Sequence, residues 1–221
     1  ATLLPGTLRS RVEHVWGTVV SMDVRDPGTT DAVVDAAWAS VRAELHRVDE
    51  VFSTFRPDSV VSRLRGGGTH VVADDVADVI DRCLEARLAT GGAFDPWQVS
   101  GGFDPSGLVK GWAADRCARI LQQHGLRSFT VDAAGDLVCR GSAGSGHDGW
   151  PIGIAHPDDP QAVRTKSAAT AEPQRRPIET IREFCLIDQV MHNGLAPKMG
   201  RIAHSHCCVA AYHLNRCRGA H

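Results

Sequence analysis

The chain has 221 residues, 43% of them apolar and 23% charged, with a formal net charge of −2 at pH 7. These values indicate a globular protein of one large domain or two small ones, and they exclude the strongly basic surface of a typical nucleic-acid-binding protein. No run of 18 apolar residues occurs, so no membrane-spanning helix is predicted. The first residues lack a signal-peptide core, which predicts a cytoplasmic protein, or an exported or membrane-associated one if a leader has been removed.

The first part of the chain predicts a strand followed by a long helix. Apolar and polar residues alternate in "VVSMDV" at 19–24, as in a half-buried strand. Thr30 or Asp31 is a candidate helix cap, and an apolar stripe then recurs at steps of three and four residues from Val34 to Phe52. We predict that the proline of "FRPDS" breaks this helix and that "VVSRLRGGGTHVV" is short extended or turn structure.

The middle of the chain predicts two more helices and then three strands. The second helix spans about 75–90, with one face formed by Val76, Ile80, Cys83, Arg87 and Leu88. The third starts near Gly111 and ends at Gly125, and the strands are "SFTVDA", "LVCRG" and "WPIGIA". Cys83 and Cys117 fall on apolar helix faces and are predicted to be buried and reduced. The order of elements predicts an α+β fold.

The last quarter of the chain differs in composition from the rest. Residues 1–165 carry 16 basic and 22 acidic side chains, whereas residues 166–221 carry 8 and 4. The stretch "KSAATAEPQRRP" has the composition of a linker. Ligand-type residues cluster near the end without the C-x-x-C or H-x-x-x-H spacing of a structural zinc site, which favours surface residues; they are His204, His206, Cys207, Cys208, His213 and Cys217.

The segment "FDPSGLVKGWAADRCARIL", at 103–121, places Asp104, glycines and Lys110 directly before a helical pattern. A helix start has unpaired N–H groups and a partial positive charge, and a nearby lysine adds a full charge. That combination suits an anion such as a phosphate. A strand-to-helix turn with solvated charges explains the same residues and is the more common case.

Five further stretches accompany this segment in a specific order along the chain. They are "HVWGTVVSMDV", "VDEVFSTFRPDSVVSRLR" and "TGGAFDPW" before it, and "FTVDAAGDLVCRG" and "GWPIGIAHPDDP" after it. Together the six resemble the ApbE family, the FAD:protein FMN transferases, over about 12–164. The resemblance stops near Arg164. It implies an ApbE-like flavin-transferase region at 1–165 and a divergent tail at 166–221.

The resemblance implies a magnesium-dependent enzyme that transfers FMN from FAD to a Ser or Thr hydroxyl of an acceptor protein. It gives no side chain a catalytic role, and it implies a magnesium contact from the backbone carbonyl of Gly107. The positions that would contact the flavin nucleotide are Trp16, Phe55, Ala93, Phe94, Asp95, Asp104 and Lys110. Core packing explains Trp16 equally well, a turn before Pro96 explains Asp95, and a structural cap is favoured for Asp136. We expect Phe55, Phe94, Asp95, Asp104 and Lys110 to line one cleft.

The sequence departs from the family after Pro160. The family's further magnesium ligands, an Asp and a Thr from a downstream motif, have no counterpart there. Either the tail is frame-shifted or disordered, so that the ApbE-like fold is truncated or altered at its C-terminus, or it is a divergent but genuine continuation. We therefore expect FMN transfer to be poor or absent and weak FAD affinity to remain. The alternatives are a non-catalytic FAD-binding protein and an inactive remnant.

Overall fold

The computed structural model of the protein describes residues 7–67, 74–144, 147, 149–156 and 159–168, with side chains up to 153. The predicted α+β fold is confirmed. In chain order, the elements within these ranges are β1 Arg9–Val15, β2 Thr18–Val24, α1 Asp31–Phe52, α2 Val60–Arg65, α3 Asp74–Ala89, α4 Ser106–Gln123, β3 Phe129–Ala133, β4 Asp136–Arg140, β5 Trp150–His156 and β6 Asp159–Ala168. None of the helices described here is both long and apolar enough to cross a bilayer.

Strands β1 to β4 form one antiparallel sheet in which each strand pairs with the next along the chain. The inner residues of β2 and β3, such as Met22 and Val131, face each other in register and are fully buried. β5 and β6 form a separate antiparallel pair. Trp150 of β5 packs with Cys139 of β4, and its indole N–H donates to the carbonyl of Arg140 at 2.8 Å. This contact joins the second sheet to the edge of the first.

Helices α1 and α4 run antiparallel to each other on the inner face of the first sheet. Ser40, in the first half of α1, lies 3.1 Å from the imidazole of His124 just after α4. Phe52, the last residue of α1, packs against Trp112 near the start of α4, with ring centroids 5.4 Å apart. The apolar stripe from Val34 to Phe52 is buried throughout, as predicted. The end of α1 and the start of α4 therefore meet at one side of the molecule.

The core has two clusters that these two long helices connect. The first lies between the sheet and the facing parts of α1 and α4, and it contains Phe129 and Leu121. The second joins the end of α1, α2, α3 and the start of α4, and it contains Val61, Cys83 and Trp112. Burial of apolar side chains contributes roughly 1.5–3 kcal/mol for each large residue, so both clusters hold α1 and α4 in place.

Strand β1 was not predicted because its inner face is charged. Arg9 and Arg11 pair with Asp31 and Asp35 of α1 at 2.7 and 2.6 Å. Glu13, the next inner residue, pairs with two basic side chains farther along α1, Arg42 and His46. An apolar alternation is therefore missing from this strand. Inward-pointing charges on an edge strand also discourage pairing with another chain.

Three other predicted elements differ from the structure, and one further strand that was not predicted is present. The stretch after Pro57 contains a short helix, α2, because the Ser59 hydroxyl accepts the N–H of Ser62 at 2.9 Å and caps it. The buried face of α3 is turned relative to the prediction, with Val79 and Ala86 buried, and Leu88 is 78% exposed. α4 begins at Ser106, five residues before Gly111. β6 runs to Ala168, past the proposed boundary at 165, and that domain boundary stays a prediction.

The buried thiols match the sequence-based prediction. Cys83 and Cys117 are fully buried thiols, and Cys139 is also a buried thiol. Burial raises the pKa of the Cys117 thiol to about 12. This thiol is therefore protonated at neutral pH and is a poor nucleophile, which makes it a packing residue.

Glu44 of α1 joins α1 to α4 through a buried ionic contact. Its carboxylate accepts hydrogen bonds from Arg47 at 2.8 and 2.9 Å and from Arg116 of α4 at 2.5 Å. Burial by itself raises the pKa of Glu44, but the hydrogen bonds from the two arginines outweigh burial and hold it below its ordinary value. A carboxyl with a lowered folded-state pKa stabilises the fold above its unfolded-state pKa, and this stability is lost as the pH falls through the folded-state value.

Glu44→Gln should therefore lower the free energy of unfolding by about 1–2 kcal/mol at pH 7. Below pH 4.5, the ordinary pKa of a glutamate, the free energy of unfolding of this variant should depend less on pH than that of the wild type. Urea unfolding from pH 7 down to pH 3 measures both effects. Glu85→Gln is the matched control, because Glu85 lies on the exposed face of α3. Equal pH profiles for the two variants would contradict the role given to Glu44.

Candidate functional site

A cavity of about 660 Å³ lies where the end of α1, the turn after it, the start of α4 and the tip of the β1–β2 hairpin meet. This volume is within the usual range for small-molecule sites. Aromatic and aliphatic groups form most of its wall, and Asp49, Arg56 and Lys110 are its charged members. The site is thus an apolar cleft with a few charged side chains, as expected for a ligand with a ring system and a charged part.

Trp16 forms the wall contributed by the hairpin. Trp16 and Gly17 make the two-residue turn between β1 and β2 with positive φ values of 58° and 69°, the pattern of a type I′ turn. The left-handed region is strained for a bulky residue, and such strain is concentrated at functional sites. The indole N–H donates to the carbonyl of Leu45 at 3.2 Å, which fixes the ring. Trp16 also packs against both core clusters, so its position is compatible with both roles predicted for it.

The turn after α1 presents Phe55 to the cavity. The Ser53 hydroxyl accepts the backbone N–H groups of Phe55 and Arg56 at 3.4 and 3.3 Å, and the Ser53 carbonyl accepts the Ser59 hydroxyl at 2.6 Å. These bonds hold the turn in one shape. Phe55 is nevertheless 95% exposed, which forgoes the stabilisation that burial of a phenylalanine provides. An exposed ring on a fixed turn is well placed to stack on a planar ligand.

The start of α4 brings Lys110 to the same cavity. The Asp104 carboxylate accepts the N–H of Ser106 at 3.0 Å and so satisfies one of the unpaired donors of the first turn. Lys110 lies one turn later, half-buried in the cavity wall, and side chains of a helix lean toward its N-terminus. Within the part of the chain that the structure describes, no carboxylate lies within ion-pair distance of its ammonium group. Lys110 can therefore offer a full positive charge to a ligand.

The loop before α4 holds the remaining predicted contacts. Phe94 is buried in the second core cluster, and Asp95 accepts hydrogen bonds from Arg87 at 2.6 Å and from the N–H of Trp97 at 3.0 Å. Burial by itself raises the pKa of Asp95, but the hydrogen bonds outweigh burial and hold this pKa below its ordinary value. The carboxylate is therefore ionised at neutral pH. Asp104 reaches this loop through its N–H, which donates to the carbonyl of Pro96 at 2.8 Å. The loop is therefore braced from both ends.

The structure brings Trp16, Phe55 and Lys110 to one cavity, and its lining does not include the other four predicted contacts. Ala93 is exposed in the neighbouring loop, and Phe94 and Asp95 are buried there. Asp104 is two residues from Ser106, which does line the cavity. Flavin contacts from the residues of this loop stay a prediction.

The described residues do not form a metal site around Gly107. Gly107 lies in the first turn of α4, where a helical carbonyl points along the axis toward the C-terminal end. Magnesium prefers about six oxygen ligands, and one carbonyl cannot hold it. In residues 7–67, 74–144 and the short segments after them, no three His, Cys, Asp or Glu side chains are arranged to bind a metal ion. The magnesium contact of Gly107 stays a prediction, and the His and Cys cluster at 204–217 lies outside the described residues.

Two charged residues of the cavity, Asp49 and Arg56, were not predicted from the sequence. Asp49 lies on α1 beside its apolar stripe, and only the meeting of α1 with the hairpin and α4 places it in the wall. Arg56 directly follows Phe55, so an arginine next to a proposed ring contact was the available signal. That Arg56 shares a cavity with Lys110 follows from the fold and not from their separation in sequence.

The family model of ApbE matches residues 16–101 and 98–204. The chain belongs to the ApbE family. The matched residues include the hairpin tip, the turn after α1 and the start of α4, which together enclose the cavity. The match also continues past Arg164, so the family similarity extends farther along the chain than the sequence motifs indicated.

Known ApbE proteins resemble the chain over much of its length. An FAD:protein FMN transferase of Klebsiella pneumoniae is 24% identical over 186 residues, which cover 60% of this chain and 53% of that protein. The chain thus spans about half the length of the curated relative that it matches.

Solved ApbE structures share the fold. The flavinyl transferase ApbE of Pseudomonas stutzeri has a TM-score of 0.65 at 18% identity, covering 76% of this chain and 68% of that one. Flavin transferase ApbE of Vibrio cholerae has a TM-score of 0.61 at 19% identity and coverages of 72% and 68%. The ApbE protein of Thermotoga maritima has a TM-score of 0.59 at 21% identity and coverages of 75% and 70%. At these identities, the likeness shows a common fold.

Proposed function

We propose that this chain is an FAD:protein FMN transferase, which moves the FMN half of FAD onto a Ser or Thr hydroxyl of an acceptor protein. The observation that carries the proposal is the meeting of Trp16, Phe55 and Lys110 at one cavity of about 660 Å³. These residues belong to three separate motifs and come together only in the fold. Two rings and a cation match the two chemical parts of a flavin nucleotide.

The proposed reaction is a phosphoryl transfer. The oxygen of the acceptor hydroxyl forms a bond to the phosphorus of the FMN half, the bond from that phosphorus to the oxygen of AMP breaks so that AMP leaves, and the proton of the hydroxyl is released to water. Such reactions depend on positioning and on neutralising charge more than on covalent catalysis by the protein. Phe55 and Trp16 would position the ring system, and Lys110 would offset negative charge on the phosphates.

Magnesium dependence is part of the proposal because the family resemblance implies it. The described residues supply the helical carbonyl of Gly107 and no set of three metal-binding side chains. They do not by themselves fit a magnesium ion, so no step of the reaction is assigned to one. A chelator tests this part separately from flavin binding.

A non-catalytic FAD-binding protein is the second candidate function. The same cavity would bind FAD, and binding without transfer would need no metal site; the described residues contain no group of three His, Cys, Asp or Glu side chains that could hold a metal ion. The inactive remnant is a weaker candidate, because α1, α4 and the sheet form two well-buried core clusters. Binding and transfer must therefore be measured independently.

The test is incubation of the purified chain with FAD, magnesium chloride and an acceptor protein that carries a target Ser or Thr. Transfer appears as a fluorescent acceptor band on a denaturing gel, and binding appears as a change in FAD fluorescence before denaturation. We expect FAD binding and a slow appearance of the band, with no band for an acceptor whose target residue is alanine. FAD binding without any band would support the non-catalytic candidate. A protein that neither binds FAD nor labels the acceptor would contradict both.

A further inference from the structure

We propose that Arg56 is a second phosphate-binding side chain of the cavity, which on binding exchanges its carboxylate partners for phosphate oxygens of the dinucleotide. This inference rests on the proposed function, because it assumes that the cavity holds a flavin nucleotide. Arg56 and Lys110 line the same cavity from two different segments, the turn after α1 and the start of α4. Two cations that line one cavity from different segments can both contact a phosphate group.

The backbone of Arg56 is fixed while its side chain is held loosely. The Ser53 hydroxyl accepts the backbone N–H of Arg56, as it does that of Phe55. The guanidinium lies 3.4 Å from the carboxylate of Asp49 and 3.2 Å from that of Asp58. The pairs of Arg9 and Arg87 with their carboxylates are closer, at 2.7 and 2.6 Å. The contacts of Arg56 are thus longer than those of these two arginines.

One donor of Arg56 lacks a partner inside the described structure. Its Nε is buried and has no hydrogen-bond acceptor among the described residues. A buried donor without a partner costs stability, and a bound ligand oxygen would remove that cost once the guanidinium turns away from its carboxylates toward the cavity. The guanidinium favours phosphate because its planar N–H groups match two phosphate oxygens at once.

The exchange of partners is favourable because the present ones are weak. Asp58 is 68% exposed, and ion pairs at such positions contribute little. Asp49 lies in the cavity wall itself, so its negative charge opposes a phosphate there, and the positive charges of Arg56 and Lys110 together must outweigh it. The diphosphate of FAD, with one negative charge on each phosphate, would compete with both carboxylates for the guanidinium.

This arrangement separates the roles of neighbouring residues. Phe55 would contact the ring system, which riboflavin shares with FAD, whereas Arg56 would contact a phosphate, which riboflavin lacks. Removing the Arg56 side chain should therefore weaken the binding of FAD and leave the binding of riboflavin unchanged. Removing the charge of Asp58 should strengthen the binding of FAD, but only in a protein that still has Arg56.

The experiment measures dissociation constants of FAD and riboflavin by flavin fluorescence for the full chain and its variants. Arg56→Ala should raise the dissociation constant of FAD about 10-fold or more, while that of riboflavin should change less than about twofold. Asp58→Asn should raise the affinity for FAD about two- to fivefold. Adding Asp58→Asn to Arg56→Ala should give no such gain in affinity. Arg119→Ala is the charge-matched control, because Arg119 lies nine residues beyond Lys110 on α4 and is 53% exposed.

Unchanged riboflavin affinity also shows that the Arg56→Ala protein is folded. A loss of FAD affinity no greater than that of the Arg119→Ala control, or an equal loss for riboflavin, would overturn the role of Arg56 and leave the proposed function standing. A wild-type chain that binds neither flavin would overturn the proposed function, and the role of Arg56 with it.

Discussion

Replacing Phe129 with alanine should lower the free energy of unfolding by about 3–5 kcal/mol, a large part of the stability of a single domain. Phe129 is the largest fully buried side chain in the described part of the chain, and it lies between the sheet and the helices in the first core cluster. Its removal leaves a cavity that the surrounding β-sheet and helices cannot close. Urea unfolding followed by circular dichroism measures the change.

The same substitution at Phe55 is the matched control. Phe55 is 95% exposed, so Phe55→Ala should change the free energy of unfolding by less than about 0.5 kcal/mol. It should instead weaken the binding of both FAD and riboflavin, because the Phe55 ring would stack on the flavin ring system that both ligands share. A stability loss at Phe55 comparable to that at Phe129, or unchanged affinity for both flavins, would show that the exposed ring has another role.

Lys110→Met should weaken FAD binding about 10- to 100-fold, because it removes the ammonium group while keeping most of the aliphatic stem. No carboxylate of the described residues pairs with this ammonium, so the loss should appear in ligand affinity and not in stability. If the chain labels an acceptor protein, the rate of labelling should fall by about 100-fold or more. Fluorescence titration gives the affinity, and the denaturing gel gives the rate.

Lys110→Arg is the control that keeps the charge, and it should retain more FAD affinity than Lys110→Met. The effect of Lys110→Met should also weaken as salt is added, since screening reduces the wild-type advantage. Equal affinities for the wild type and Lys110→Met at low salt would mean that the cation does not contact the nucleotide. Equal losses for FAD and riboflavin would assign Lys110 to the ring instead of the phosphates.

Elements with a clear apolar period were predictable from the sequence. The stripe of α1 is long enough to specify both its helical structure and its buried face, and the three strands from Phe129 onward have the predicted positions. α4 was predicted with a late start, because Asp104 and Pro105 set its first turn in a segment without apolar periodicity. α2 was missed because six residues are too few to show a helical period.

Local sequence could not indicate β1 or the residues that α1 brings to the cavity. Arg9, Arg11 and Glu13 are stabilised as an inner strand face by partners about 20 to 30 residues away on α1. The sequence likewise predicts Asp49 as a solvent-exposed residue of a helix. It lies in the cavity wall only because the hairpin and α4 pack beside it. Long-range ionic contacts leave no period in the sequence, so they are found only in the folded structure.

The sequence by itself determined the family and the α+β class, and it singled out three residues that the structure places at one cavity, Trp16, Phe55 and Lys110. These follow from short motifs whose order is specific and from apolar periods that burial requires. Only the tertiary structure decided that Phe94 and Asp95 are buried in a braced loop, and that Arg56 joins Lys110 at the cavity. The reason is that burial, partner distances and the meeting of distant segments depend on the antiparallel packing of α1 and α4, which no local stretch encodes.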